Sequence, residues 1–436
     1  MDNLHEIKTE LIRLINQYQP DLKNAFSVLH LDLNVDLNLL GWLKAQTHYP
    51  QFYLNFRDSA KKILGLGEIR RFTQVEEAQN FVQEFALSLV GGCQFNGETV
   101  FILPRLLLVQ EDSLSIQLII DNRTSWEEEK NSLLNLVQTL DQQIPLMPIH
   151  QSIQMMTAKA NQSEWCLWVE KALREIEQKN LTKVVLANET RFKTDSPLNA
   201  KDFLAESEKY NTGCYHFLFA QEETQTFVGS TPERLYIRQQ HCLLTEALAG
   251  TAFMTDDENI NQQQTQWLLQ DPKNIYENKL VADGICQHLS PYVEQITVGE
   301  VQIKQLRQVQ HLKREISAQL KDGNADALCL KAIHPTAAVA GLPQKAAKAF
   351  LQKTETFDRT WYAGTLGIMD KTQSEFCVTI RSAFIEQNDI RVFAGAGIVE
   401  GSIPLLEWQE IERKALGLIS LLQEEKRSIK YVSQRF

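Results

Sequence analysis

AGAGIVEGSIPLLEWQEIERKA, residues 394–415, is the stretch on which the reading of this chain turns. Gly395 and Gly397 lack side chains and permit close backbone approach, and Pro404 suits the first turn of a helix. The pattern that follows predicts a last long helix from about Leu405 to Glu424. Glu407, Glu410 and Lys414 fall at i, i+3 and i+7, so they share one helix face. A solvated row of ion pairs would explain such a face. Two features point elsewhere. The face sits just past a Gly-rich turn, and Leu406, Trp408, Ile411 and Leu416 flank it.

A second helix, around Lys273–His288, carries Glu277 on the same face as Leu280, Val281 and Gly284. An acid on an apolar stripe is costly unless it is paired or binds a metal. Two carboxylates from separate helices, with no Cys or His ligand nearby, suggest a hard cation. Mg²⁺ commonly takes only one or two protein carboxylates and keeps several waters.

Other polar residues interrupt apolar segments. Lys183 opens the strand KVVLA; such a lysine is ordinarily exposed, but when desolvated it can serve as a general base. Glu233 lies in GSTPERLY, where an ion pair with Arg234 or Arg238 is the plain alternative. Glu246, in LLTEALAGTA, is expected to end a strand (Cys242–Thr245) before the turn residues Gly250 and Thr251. Either glutamate becomes a general acid if an apolar pocket favours its neutral form, and spacing does not choose between them. His311, His334, Thr336 and Tyr362 also break apolar contexts. Arg381, inside an expected strand Glu375–Ile385, stays charged and must find an anion on the protein or on a substrate.

The 436 residues are 43% hydrophobic and 23% charged, an ordinary globular balance. A formal charge of −11 argues against a nucleic-acid protein. The first twenty residues lack the apolar core of a signal peptide, and no run approaches a membrane span. Seven scattered cysteines, never paired as CxxC, argue against a disulfide framework or zinc knuckle. The expectation is a soluble cytoplasmic protein.

Apolar runs at Gln51–Phe56, Val100–Gln110 and Leu114–Asp121 predict strands, with a helix at Gln74–Val90 between them. Later strands come in clusters with helices between the clusters. That pattern predicts an α+β fold with a large, mostly antiparallel sheet system flanked by helices. The polar segment Thr124–Ser163, with Pro145 and Pro148, is the candidate junction. It divides an N-terminal α/β subdomain (1–155) from a catalytic region (156–436), together one compact fold.

Taken in order, KVVLA (183–187), GSTPERL (229–235), TEALAGTA (245–252), KNIYENKLV (273–281), VQHL (309–312), HPTAAVAGLP (334–343), WYAGTLG (361–367), FCVTIRSA (376–383) and the 394–415 stretch resemble the chorismate-utilising enzymes. That family includes isochorismate, salicylate, anthranilate and aminodeoxychorismate synthases, and its fold is that of anthranilate synthase component I. THYPQFY (47–53) and the full-length layout are most similar to the menaquinone branch of the isochorismate synthases.

The resemblance implies a set of roles. Glu277 and Glu410 hold Mg²⁺, which binds the ring carboxylate of chorismate, with Glu407 behind them or linked through water. Lys183 activates water and Glu233 is the general acid, leaving Glu246 a lesser candidate. Tyr362, Arg381, Lys414 and the backbone at Gly395 contact substrate carboxylates. Gly250 and Thr251 line the pocket near the ring, and His311 and Thr336 occupy pocket positions. Anthranilate synthases carry Gln where Lys183 stands, and aminodeoxychorismate synthases carry a nucleophilic lysine where Ala249 stands. Lys183 with Ala249 therefore implies water as the nucleophile, and so isochorismate synthase, with salicylate synthase or a siderophore-branch enzyme as the alternative. An ammonia-using synthase and an inactive chorismate-binding module are further readings. Asn188 departs from the family, whose strand often continues with Arg. No nucleic acid, membrane or obligate protein partner is expected.

Overall fold

The computed structural model describes residues 2–21, 23–323 and 325–422. Within them the chain builds a twelve-stranded and a ten-stranded sheet, with antiparallel strand pairing. Strands from the first 155 residues enter both. Gln51–Asn55 pairs with Tyr215–Ala220 in the larger sheet, and Leu89–Cys93 pairs with Thr365–Met369 in the smaller.

Side-chain alternation along these strands explains the layers. Phe52, Leu54, Phe217 and Phe219 of the larger sheet join Phe101, Leu366 and Phe376 of the smaller one in a core between the sheets. Their neighbours Tyr53, Leu218 and Ala220 point the other way, into a second core closed by Leu4, Ile7, Leu11 and Ile15 and by Leu133 and Leu136. Those residues come from helices Asp2–Gln17 and Trp126–Val137. The middle of the larger sheet is thus buried on both faces, and strands such as Gln51–Asn55 and Tyr215–Ala220 are buried along nearly their whole length, whereas the edge strand Phe26–Leu33 alternates.

Several expected elements are cut or extended. Val100–Gln110 is two strands, Thr99–Leu103 in the smaller sheet and Leu106–Gln110 in the larger. Pro104 stands between them and has no N–H to donate. The helix expected to reach Val90 ends at Phe85, where Ala86 turns left-handed (φ 53°) and frees the chain for the strand Leu89–Cys93. The polar 124–163 segment holds a helix and the strand Ile153–Ala158, which pairs with Lys183–Thr194. Asn188 supports that pairing by exchanging hydrogen bonds of 2.9 and 2.8 Å with the backbone of Ala160.

Two corrections bear on function. The strand from Cys242 does not stop at a Gly250 turn; it runs to Phe253, and Gly250 (φ 81°) is a bulge where the register shifts between Ala249 and Thr251. The expected strand Glu375–Ile385 is also two: Gln373–Val378 belongs to the smaller sheet and Ser382–Glu386 to the larger. Arg381 (φ 51°) is the joint between them rather than a strand residue. The last helix spans Pro404–Ile419, followed by a 3₁₀ turn at Ser420–Leu422; the remainder of its expected length, 423–424, lies outside the described residues. Among the described residues no helix is long and apolar enough to cross a membrane.

Candidate active site

The site forms where the two sheets meet two helices. Lys183 opens the strand Lys183–Thr194, whose neighbour Asp389–Ile398 carries Gly395 and Gly397 opposite Ala187 and Val185. The smaller sheet contributes Thr251 and His311 as cross-strand partners. Helix Pro272–Leu289 brings Glu277, and helix Pro404–Ile419 brings Glu407, Glu410 and Lys414. The cleft is lined by Glu233, Gly250, Thr251, Glu277, His311, Tyr362, Arg381, Gly395 and Lys414, among others. Lys183 and Glu410 stand directly behind this lining, each against a residue that forms it.

The glycines are there for space. A Cβ on Gly397 would lie 2.1 Å from Oε1 of Glu277 and 2.9 Å from Cε of Lys183, and one on Gly395 would lie 2.9 Å from the Tyr362 hydroxyl. The backbone approach inferred from the sequence is therefore real, though both glycines sit in a strand and not in a turn.

Lys183 is fully buried, its Nζ 3.1 Å from Oε1 of Glu277 but without an aligned hydrogen bond. Glu233 is 3% exposed. Burial, reinforced by the negative charge of Glu246, pushes its carboxyl up to about 8, against the opposing pull of Lys183, Lys414 and Arg381. Glu246 is just as buried but meets Arg57, whose Nη1 and Nη2 donate to its two oxygens at 2.6 and 3.0 Å. Although burial works against it, that pairing holds Glu246 below the usual carboxylate range. The structure thus separates the two glutamates that spacing could not. Glu246 is a committed anion, and Glu233 is a neutral acid at neutral pH.

The carboxylate end follows the same logic. Glu410 accepts from Lys414 at 2.6 Å and from the Thr251 hydroxyl at 3.0 Å. Despite burial, the lysines hold it down at about 2. Glu407 is pushed up to about 7 by burial, with Lys273 opposing and Glu410 adding to the rise. Its Oε1 accepts from Lys273 at 2.9 Å. Its Oε2 is buried without an aligned partner, although the Ser402 hydroxyl is near enough to favour the charged form. Lys273 also lies 3.9 Å from Oε2 of Glu277.

This donor set fits a hard cation. It is all carboxylate oxygen, and one of those oxygens is an orphan. Among the described residues no three or more His, Cys, Asp or Glu side chains group as a metal cage. A cation here would complete its shell with water, as Mg²⁺ does.

The remaining residues present donors. Arg381 Nη2 donates to His311 Nε2 at 3.1 Å, so the ring proton sits on Nδ1, 3.3 Å from the Gly250 carbonyl. Burial, with Arg381 and Lys414 nearby, pushes His311 down to about 3, so it is neutral. Burial pushes the Tyr362 phenol up to about 12 and keeps it a donor. Lys414 donates to the Gly395 carbonyl at 3.0 Å. Thr336 does not line the cleft. Its hydroxyl accepts from Ala338 N at 3.2 Å and shapes the turn that presents Ala338 and Val339 to it.

Sequence reasoning missed Arg57, Lys273 and Asn274, whose Oδ1 accepts from Thr251 N at 3.0 Å. Lys273 had a local signal, its i, i+4 spacing from Glu277. Arg57 had none, because only the strand pairing brings it here.

Residues 92–423 match the family model described as chorismate binding enzyme. The chain is 57% identical over 429 residues to the isochorismate synthase MenF of Pasteurella multocida, covering 97% of this chain and 99% of that protein. The solved structure of MenF, the menaquinone-specific isochorismate synthase from Escherichia coli, is 37% identical and overlays with a TM-score of 0.90, covering 96% of this chain and 100% of that one. Anthranilate synthase component I from Streptococcus pneumoniae shares the fold, with a TM-score of 0.64 at 18% identity over 92% of this chain and 93% of its own. By sequence and by fold alike, the chain belongs to the chorismate-binding enzyme family that its site motifs resemble.

Proposed function

We propose that this protein is an isochorismate synthase serving menaquinone formation, isomerising chorismate by adding water at C2 and expelling the C4 hydroxyl. The observation that carries the reading is the pairing of a buried lysine with a buried carboxyl kept neutral up to about pH 8, within electrostatic reach of each other. Full-length similarity to two isochorismate synthases supports it.

In this reading Lys183 accepts a proton from water as the oxygen bonds to C2. Both ring double bonds shift, the C4–O bond breaks, and Glu233 gives its proton to the departing hydroxyl, which leaves as water. Each such acid or base contributes about 10²–10⁴-fold. Arg381, Lys414 and the Tyr362 hydroxyl line the cleft as donors for the substrate's carboxylates. Neutral His311 holds Arg381 through Nε2 rather than carrying charge itself. Glu277 and Glu410, with Glu407 behind them, would hold Mg²⁺, which when bound offsets the ring carboxylate's charge and orients the ring. Ala249 lines the cleft where aminodeoxychorismate synthases have their lysine, so no amine competes with water there. We place the enzyme in the cytoplasm, and its seven free cysteines suit a reducing compartment.

The test is to incubate purified protein with chorismate and Mg²⁺ and resolve the products, with and without ammonium. Isochorismate in equilibrium with chorismate, indifferent to ammonium, is expected. Salicylate with pyruvate would move the enzyme to the alternative reading, and an aminated product would overturn water as nucleophile.

A further inference from the structure

Arg57 follows the strand Gln51–Asn55 and is far in sequence from every motif of the site, yet its side chain is 1% exposed. Its guanidinium makes three contacts around the acid. Nη1 and Nη2 bind the two oxygens of Glu246 at 2.6 and 3.0 Å, and Nη1 also donates to the carbonyl of Pro232, the residue before Glu233. Oε1 of Glu246 then accepts from the backbone N–H of Arg234, the residue after Glu233, at 3.0 Å. One ion pair therefore fastens the peptide on both sides of Glu233. A planar fork makes this geometry, and an ammonium cannot reproduce it. The pair is itself braced, with Arg57 5.3 Å over the Tyr215 ring and Lys313 3.9 Å from Oε2 of Glu246.

The charges facing Glu233 make the placement consequential. Lys183, Lys414 and Arg381 all favour its ionised form. Glu246 is the negative group set against them, and the Tyr362 phenol is neutral. An anion this dry persists only with a bound counter-ion.

We propose that the Arg57–Glu246 pair is the positioning element of the general acid: it fixes the backbone on both sides of Glu233 and faces the carboxyl with a permanent negative charge. The inference deepens the proposed function and rests on Glu233 being the acid. Neither Arg57 nor Glu246 touches the reacting atoms; both act through Glu233.

The test is the pH profile of kcat/KM for chorismate. In Glu246→Gln, the alkaline limb should move down by about one pH unit, because the opposing anion is gone and Arg57 keeps only the half-exposed Asp58 as counter-ion. Turnover should also fall at the optimum. A purely structural role would lower the profile without moving the limb, and that result overturns the proposal. Arg57→Lys keeps the charge but loses the grip on Pro232. It should lose about tenfold in kcat with KM little changed and the limb in place, whereas wild-type kcat in this variant overturns the clamp. Should Glu246→Gln not fold, Glu246→Asp replaces it. There the charge remains, so the limb stays while kcat falls, and a shifted limb counts against the proposal. Glu233→Gln separates this inference from its foundation. If that variant turns over normally, the general-acid reading itself fails. If it is inactive while the Glu246→Gln limb stays put, only the positioning role fails.

Discussion

The two ends of the cleft each hold a pair of glutamates, and each pair divides. At the acid end burial pushes Glu233 up to about 8, while Arg57 keeps Glu246 below the usual range. At the carboxylate end Glu407 rises to about 7, while Lys414 and Lys273 hold Glu410 at about 2. Desolvation raises all four, Glu410 included although it is only partly buried, so it is not what holds the low member of each pair down. What separates them is the counter-ion. The low member of each pair has the stronger cationic surroundings: a bidentate arginine for Glu246, and Lys414 at 2.6 Å together with Lys273 for Glu410. The ends differ in what the high member does. Glu233 needs no cation, because as an acid it works neutral. Glu407 has a lysine at 2.9 Å on one oxygen and an unpartnered second oxygen, the arrangement of a group that still lacks charge compensation.

The largest expected effect tests whether the acid end contains a base at all. Lys183→Ala should reduce chorismate turnover by about a thousandfold or more with the fold intact. A variant retaining near-full activity removes Lys183 from the mechanism. Next comes the point where the two ends touch. Gly397→Ala drives a methyl against both Glu277 and Lys183, at 2.1 and 2.9 Å, and should cost about a hundredfold in turnover. Gly417→Ala is its control, because the added methyl meets only Asn211 at 3.8 Å. Equal losses in the two variants would mean that alanine harms this fold generally and that Gly397 has no special place between the ends.

Much of this was legible in the sequence, for an identifiable reason. Glu277, Glu407, Glu410 and Lys414 lie on helices, where a spacing of three or four residues fixes which side chains share a face. The α+β reading followed from strand clusters. The rest depended on tertiary connections that periodicity does not carry. Arg381 looked like a residue inside one strand, because the apolar pattern continues unbroken through a joint between two sheets. Gly250 looked like a turn, because a bulge uses the same residue. Thr336 sits among site motifs but serves the turn that presents its neighbours. Arg57 lies in an unremarkable NFRD, and only the pairing of Gln51–Asn55 with Tyr215–Ala220 carries it under the acid.

Folding stability gives a finer comparison of the ends. Glu233 is raised from an ordinary 4.5 to about 8. Its neutral burial therefore contributes fully below about pH 4.5, and the contribution drains away as pH rises towards 8, where the native state ionises too. Glu233→Gln escapes that loss. Its melting temperature relative to the unsubstituted protein should climb between pH 5 and pH 8, by the equivalent of a few kcal/mol on an order-of-magnitude basis. A difference that stays flat with pH would show that the carboxyl is already ionised in the folded state. Glu407→Gln changes the other end, where the expected loss is about tenfold in Mg²⁺ affinity measured by calorimetry. Unchanged affinity would take Glu407 out of the cation's surroundings.

The smallest effect concerns Lys273, and its sign is what matters. In the structure its ammonium lies 2.9 Å from Glu407 and 3.9 Å from Glu277, and both carboxylates, with Glu410, raise its own proton affinity. A fixed positive charge among these carboxylates opposes a second cation by Coulomb repulsion, screened by water because the lysine side chain is 22% exposed. Lys273→Met keeps most of the side-chain bulk and removes the charge. Mg²⁺ should then bind about threefold to tenfold tighter, while the metal-free protein should melt lower because Glu407 has lost its one good partner. Added Mg²⁺ should restore more of the melting temperature in this variant than in the unsubstituted protein. If Mg²⁺ binding weakens instead, the lysine orients Glu407 for the metal rather than opposing it. The carboxylate end would then work like the acid end, with a cation whose task is to hold a glutamate in place.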